Sequence, residues 1–120
     1  AQKRWQKFRI YQLDFEAGNP IPFAFAGLDA MRKAGYEQPP AAKYRLVYDG
    51  EQSCPGGYNS EEVLAVLFQR FNNELPSGYT GRSLSPSDVV ELYDSDGRHY
   101  FYCDTAKFTS VQFSPMLVKK

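Results

Sequence analysis

The sequence is poor in the side chains that most metal and nucleophile sites require. It contains one histidine and two cysteines among 120 residues. Cys54 and Cys103 lie far apart and in no metal-ligand spacing, and the first residues lack the apolar stretch of a signal peptide. We therefore predict no metal site and no cofactor, and we expect both thiols to be reduced in a cytoplasmic protein.

Long apolar runs and net charge are also missing. No stretch approaches the ~18 consecutive apolar residues of a membrane span, which argues against an integral membrane protein. Fourteen basic residues balance fourteen acidic ones, so the chain lacks the long-range field that favours nonspecific binding to nucleic acid or anionic membranes. One basic cluster surrounds Trp5 and Phe8, and residues 1–6 are predicted to form a flexible arm. The cluster consists of Lys3, Arg4, Lys7 and Arg9.

Apolar and aromatic side chains are abundant. Hydrophobic residues make up 42% of the chain and aromatic residues 16%, enough for one folded, soluble domain over residues 1–120. Strands are predicted over 7–15 and 43–49, and a loop over 50–59. A short helix is predicted over 23–35, with Gly35 in the left-handed position that ends it.

The second half of the chain adds a longer helix and a hairpin. Ser60 is predicted to cap a helix whose apolar residues recur at helical spacing, namely Val63, Leu64, Leu67, Phe68 and Phe71. Two strands flank Gly97, which suits a hairpin turn, and 107–113 adds another strand. This order predicts an α+β domain: a mixed sheet of about four to five strands, including the C-terminal hairpin, with two helices packed on it.

His99 and the cysteines are the candidates for acid–base or nucleophilic catalysis. His99 lies on a predicted strand with no carboxylate or nucleophile placed beside it by the sequence. Cys103 shares a strand face with Phe101 and is expected in the core, whereas Cys54 in the predicted loop is expected to be exposed. An enzyme that uses Cys54 or His99 is one alternative, and a noncatalytic protein is the leading hypothesis.

The segment GRSLSPSD, residues 81–88, concentrates hydroxyl groups before the hairpin. Ser and Asp side chains bond to nearby backbone amides, so we predict that these residues build a turn that leads into the next strand. The turn residues are Ser83, Ser85, Ser87 and Asp88. Arg82 precedes the turn without an evident structural role, and together with Tyr79 it is the candidate interaction surface.

Tyrosines on predicted strands support a different hypothesis. Such rings can stack on single-stranded bases, although tyrosine is also a favoured cross-strand packing residue. The residues concerned are Tyr11, Tyr44, Tyr48, Tyr93, Tyr100 and Tyr102. A small nucleic-acid-binding domain is therefore the first alternative function.

Four segments carry a family resemblance: FRIYQL, LFQRFN, GYTGRSLSPSDVVELYD and FYCDTAKF, in this order. With them the chain resembles the YodL-like domain family of Firmicutes over most of its length. It departs from the family pattern at Pro86, where an apolar residue is usual, and at Lys107, where a glycine is usual. The resemblance implies no established activity, cofactor or catalytic residue. Because family members often occur inside larger proteins of mobile elements, we expect an interaction or accessory module of such a protein, with a protein partner.

Overall fold

The computed structural model describes residues 3–14, 21, 23–77, 79–104 and 107–118. It contains two α-helices and five strands, in the order β1 (Lys3–Leu13), α1 (Leu28–Lys33), β2 (Tyr44–Pro55), α2 (Ser60–Asn73), β3 (Val89–Asp94), β4 (Gly97–Cys103) and β5 (Phe108–Val111). Short 3-10 helices occupy Ala41–Lys43 and Pro115–Leu117. The α+β class and the two helices are confirmed.

The five strands form one sheet in the order β2-β1-β3-β4-β5. Every pairing is antiparallel, where a mixed sheet was expected. The reason lies in the connection between β1 and β2, because Leu13 at the end of β1 faces Tyr44 at the start of β2. The chain therefore re-enters the sheet at the end it left, and a parallel pair would require a crossover to the other end.

β1 and β2 are longer than their sequence patterns indicate. Pairing extends to Lys3 opposite Pro55, so residues 3–6 of the predicted arm are part of the sheet. Residues 1 and 2 of that predicted arm lie outside the described residues. Residues 50–55, predicted as loop, complete β2 because each faces a residue of β1. Phe15, the predicted end of the first strand, lies outside the described residues.

Helix α1 is shorter than predicted, and the cap of α2 lies one residue earlier than predicted. Gly35 follows α1 at φ +100°, the left-handed conformation expected for it. Asn59, not Ser60, caps α2: its side chain accepts from the Glu62 amide, and the Glu62 carboxylate accepts from the Asn59 amide. This reciprocal box satisfies two amides that a helix start leaves without intrahelical partners.

The two helices cover opposite faces of the sheet. On one face, Phe8 and Ile10 of β1 pack with the α2 residues Val63, Leu64, Leu67 and Phe71. On the other face, Tyr11 and Leu13 pack with Leu28 and Met31 of α1. Successive residues of β1 alternate between the two cores, as strand geometry requires. Phe68 does not belong to the buried stripe, contrary to the prediction, because its side chain is 40% exposed.

The predicted C-terminal hairpin is present. β3 pairs with β4 through a turn in which Asp94 faces Gly97, and Gly97 has a φ of +153°. β5 then pairs with β4 and forms one edge of the sheet, while β2 forms the other.

Candidate interaction surface

The segment 83–88 is held by hydrogen bonds from its own side chains. The Asp88 carboxylate accepts from the Ser85 amide at 2.8 Å, and the Ser85 hydroxyl donates to the Ser83 carbonyl at 2.8 Å. The Asp88 amide donates to the Ser85 carbonyl at 3.1 Å, which closes the turn. Asp88 is buried and immediately precedes β3. These contacts are those expected of turn-forming Ser and Asp residues.

Ser87 joins this turn to three distant parts of the chain. Its amide donates to the Cys103 carbonyl, and its carbonyl accepts from the Tyr44 hydroxyl at 2.6 Å. Its hydroxyl accepts from the Phe25 amide at 3.2 Å. Ser87 and Phe25 both have positive φ values, 84° and 59°, which are costly for residues with a side chain. The hydrogen bonds around Ser87 stabilise the two residues in this strained backbone conformation.

A second polar junction connects Arg82 to β1. The Gln12 side-chain amide accepts from the Arg82 amide and donates to the Arg82 carbonyl, both at 2.8 Å, and it also donates to Asp88 at 3.0 Å. A Cβ atom on Gly81 would lie 2.7 Å from the Gln12 Oε1 atom. Glycine at position 81 is thus required for the close approach of the loop to Gln12.

The two residues predicted as an interaction surface are largely engaged inside the molecule. Tyr79 is half-buried, packs against Phe71 and donates its hydroxyl to the Arg82 carbonyl at 2.7 Å. The Arg82 guanidinium donates to the Leu13 carbonyl at 3.0 Å and lies 5.5 Å from the exposed Phe25 ring. Arg82 therefore has a structural role that the sequence did not reveal, because Leu13 is distant in the chain.

Burial changes the acid–base properties of Asp88. Desolvation raises the pKa of its carboxyl group to about 7, against the opposing effects of the hydrogen bonds from Ser85 and Gln12 and the charge of Arg82. Within the described residues, the Asp88 Oδ1 atom is buried without a hydrogen-bond partner. The carboxyl group therefore changes its charge near neutral pH inside a closed part of the fold.

The three candidates for catalysis lie apart. Both cysteines are buried, Cys54 in β2 and Cys103 in β4, which corrects the expectation that Cys54 is exposed. Cys54 is enclosed because β2 continues through it to Pro55 and places its side chain in the core under α2. Burial and the nearby Asp88 charge raise the pKa of Cys103 to about 12, which keeps its thiol protonated. His99 is exposed opposite Leu92, and its imidazole has no hydrogen bond to a described residue.

A charged network centred on Glu91 lies on the face of the sheet that α1 covers. The fully buried Glu91 carboxylate accepts from the Tyr11 hydroxyl at 2.6 Å and from Arg9 at 3.1 Å. Arg9 also pairs with Asp49 at 3.1 Å and lies 4.2 Å from the Tyr93 ring. Since every member has a partner, the network is satisfied by the fold itself.

Most strand tyrosines are likewise occupied by packing or hydrogen bonds. Tyr11, Tyr44 and Tyr102 are buried, and Tyr44 and Tyr102 donate to backbone carbonyls. Tyr48 packs between Phe8 and Phe71. These four rings hold the sheet and the helices together and are not open to a base.

An apolar groove of about 430 Å³ separates α2 from the hairpin of β4 and β5. Phe68 of α2 and Phe108 of β5 both line it and pack edge to face on each other, with ring centroids 6.4 Å apart. Ala65, Pro86 and Cys103 add apolar surface, and charged groups line its rim, namely Glu61, Asp104 and Lys107. The sequence assigned Phe68 to the core. Its position three residues before Phe71, at the border of the helical stripe, was the only signal that it could face outward.

Two kinds of feature are absent from the described residues. The described part of the chain brings together no three His, Cys, Asp or Glu side chains that could hold a metal ion. Neither α1 nor α2 is long and apolar enough to cross a bilayer.

Comparison with known proteins identifies the family. No curated protein matches the sequence significantly, and no solved structure matches the fold significantly. The profile of the YodL-like domain matches residues 7–113, which include all of α1, α2, β2, β3, β4 and β5 and most of β1. The chain therefore belongs to the YodL-like domain family.

Proposed function

We propose that the domain is a noncatalytic protein-interaction module that binds an apolar side chain of its partner in the groove lined by Phe68 and Phe108. The exposure of Phe68 supports this proposal. An aromatic side chain that is 40% exposed on a helix otherwise anchored by buried residues leaves apolar area in contact with water. Covering such an area is the main favourable contribution to protein association.

The composition of the groove agrees with a protein partner. Aromatic side chains are enriched at the energetically dominant positions of interfaces, and a polar rim around them keeps water out of the contact. Here two aromatic rings in mutual contact line the groove, and acidic and basic groups lie at the rim. The accessory role in a larger mobile-element protein, and the cytoplasmic location that two unpaired cysteines favour, are part of the same proposal.

A substitution in the groove tests the proposal. Phe68→Glu places a charge in the groove beside Phe108 without touching the core stripe, and Leu117→Glu, an equivalent change at a side chain that is 61% exposed, is the matched control. Proteins captured from host lysate by the parent and by Leu117→Glu, but not by Phe68→Glu, would support the groove. Identical capture by all three would contradict it.

Binding to single-stranded nucleic acid is the second candidate, favoured by Trp5, which is 66% exposed beside the basic residue Lys7. Base stacking on aromatic rings and phosphate contacts to basic side chains both weaken when such residues are removed. Titration of parent and Trp5→Ala with single-stranded oligonucleotides at two salt concentrations separates the functions. If the parent binds in a salt-dependent way and Trp5→Ala does not bind, nucleic-acid binding is supported in place of the protein-interaction function.

A further inference from the structure

We infer that the outer edge of β2, together with α2 beside it, is a docking site for an extended peptide segment of a protein partner. β2 spans twelve residues and lies at the edge of the sheet, and β1 is its only strand neighbour among the described elements. This inference rests on the proposed interaction role but concerns a different surface from the Phe68 groove.

The side-chain contacts of β2 show which backbone groups point outward. Arg70 of α2 donates to the Glu51 carbonyl at 3.4 Å, and the Gln52 side chain donates to the Ser53 carbonyl at 2.8 Å. In an antiparallel strand the N–H and C=O of one residue point to the same side, and alternate residues share that side. Glu51 and Ser53 therefore turn both backbone groups away from β1.

These outward groups form half of a strand ladder. The Glu51 and Ser53 amides have no hydrogen-bond partner among the described residues, and the two carbonyls are held only by side chains that can move aside. An extended segment aligned with β2 would supply carbonyls to the amides and N–H donors to the carbonyls. Strand addition of this kind derives its affinity from main-chain hydrogen bonds.

The space for the added segment is present. A groove of about 550 Å³ lies between β2 and α2, lined by Val66, Gln69, Arg70 and Asn73 of the helix and by Glu74, which follows it. Trp5 lies at the same groove with most of its ring exposed. Such a ring gives the peptide an apolar contact next to the ladder, as is usual at the energetic centre of an interface.

Charge at the groove favours a basic peptide. Glu51 and Glu74 are both exposed there, while the one basic residue lining the groove, Arg70, already donates to Gln52 at 3.1 Å. A Lys or Arg side chain on the peptide would meet one or the other of these carboxylates. The edge of β5 is a poorer site, because β5 has only four residues.

Proline substitution separates the effect of main-chain hydrogen bonds at the edge of β2 from the effect of the side chains there. Glu51→Pro removes one outward amide without removing a bond to β1, which an edge strand tolerates, whereas Glu51→Thr removes the carboxylate and keeps the amide. Ser53→Pro and Ser53→Thr form a second pair, to be used if Glu51→Pro does not fold. Melting curves establish that each variant is folded.

The probe is a phage-displayed library of random dodecapeptides, selected on the parent domain. We expect enriched peptides rich in Lys or Arg that bind about tenfold more weakly to Glu51→Pro than to Glu51→Thr, since loss of a main-chain hydrogen bond has an effect of this size. Adding such a peptide should slow hydrogen exchange at the Glu51 and Ser53 amides.

Other outcomes overturn the inference and separate it from the proposed function. Peptides that lose binding to Phe68→Glu but not to Glu51→Pro would leave the groove proposal standing and contradict the edge. The absence of any enriched peptide would contradict the edge as a peptide site. A dimer in sedimentation that Glu51→Pro dissociates would show that a second copy of the chain, not a peptide, occupies the edge.

Discussion

The side chain of Gln12 pairs with the backbone of Arg82 as a neighbouring strand would. It accepts from the Arg82 amide and donates to the Arg82 carbonyl, each at 2.8 Å, across 70 residues of sequence. A third contact, at 3.0 Å, reaches the Asp88 carboxylate. One buried side chain thus fixes the loop before β3 to the end of β1.

Replacing Gln12 should be costly because its partners are left without hydrogen bonds. We expect Gln12→Ala to lower the free energy of unfolding by roughly 1–3 kcal/mol for each buried group that stays unsatisfied. Gln12→Glu should also destabilise, since a carboxylate cannot donate and would lie next to Asp88. Urea unfolding measures both, with the exposed helix residue change Gln69→Ala as control. A Gln12→Ala variant as stable as the control would show that water replaces these bonds at no cost.

Phe71 and Phe68 are expected to respond in opposite ways to truncation. Phe71 is fully buried against Phe8 and Tyr48, so Phe71→Ala should destabilise the domain by roughly 3–5 kcal/mol. Phe68→Ala removes a partly exposed ring and should cost about 1 kcal/mol. Thermal unfolding of the two variants provides the test, and an equal loss in both would mean that Phe68 also lies in the core.

Asp88 should make stability depend on pH. Its pKa is raised to about 7 in the folded protein from 3.8, mainly by burial, so the folded state prefers the protonated form. The stability that the domain gains from protonated Asp88 is therefore fully present below the unfolded pKa and is lost as the pH rises through about 7. An amide does not titrate in this range, so the variant Asp88→Asn serves as the reference. The melting temperature of the parent relative to Asp88→Asn should fall between pH 4 and pH 8; a constant difference would contradict the prediction.

Neither cysteine should react readily in the native state. Cys54 and Cys103 are each 2% exposed, and burial also raises the pKa of Cys103 to about 12. Reaction with a chromogenic disulfide reagent at pH 8 should accelerate at least roughly 100-fold on denaturation, because only thiolates in contact with solvent react. Variants with one cysteine replaced by serine show which reaction rate belongs to Cys54 and which to Cys103. Fast reaction of native Cys54 would reopen the hypothesis of an enzyme that uses this thiol.

Local patterns predicted those parts of the fold that neighbouring residues determine. Apolar residues recur at helical spacing in α2, namely Val63, Leu64, Leu67 and Phe71. Gly97 marks a turn because the turn requires a positive φ, which glycine adopts readily. The predictions failed where distant residues decide. Residues 50–55 contain Gly, Ser and Pro and resemble a loop, yet β1 pairs with them and buries Cys54.

The candidate site was harder to predict than the fold. The turn chemistry of Ser85 and Asp88 follows from residues three positions apart. The role of Arg82 depends on Gln12 and Leu13, about 70 residues away, and no local pattern indicates such a contact. The exposure of Phe68 depends on where the hairpin of β4 and β5 ends relative to α2, which is a property of the assembled layers.

The strand order has a consequence for synthesis of the protein in the cell. β1 is made before the other four strands of the sheet, yet one of its edges is completed only by β3, whose Glu91 is 82 residues beyond its partner Arg9. At ribosomal speeds of about 5–20 residues per second, that edge waits roughly 4–16 s for its partner. During this interval Phe8 and Ile10 lack one of their flanking strands. Until β3 is made, the nascent chain therefore exposes one unpaired strand edge, a feature that favours aggregation, and the completed fold removes it by placing β1 between β2 and β3.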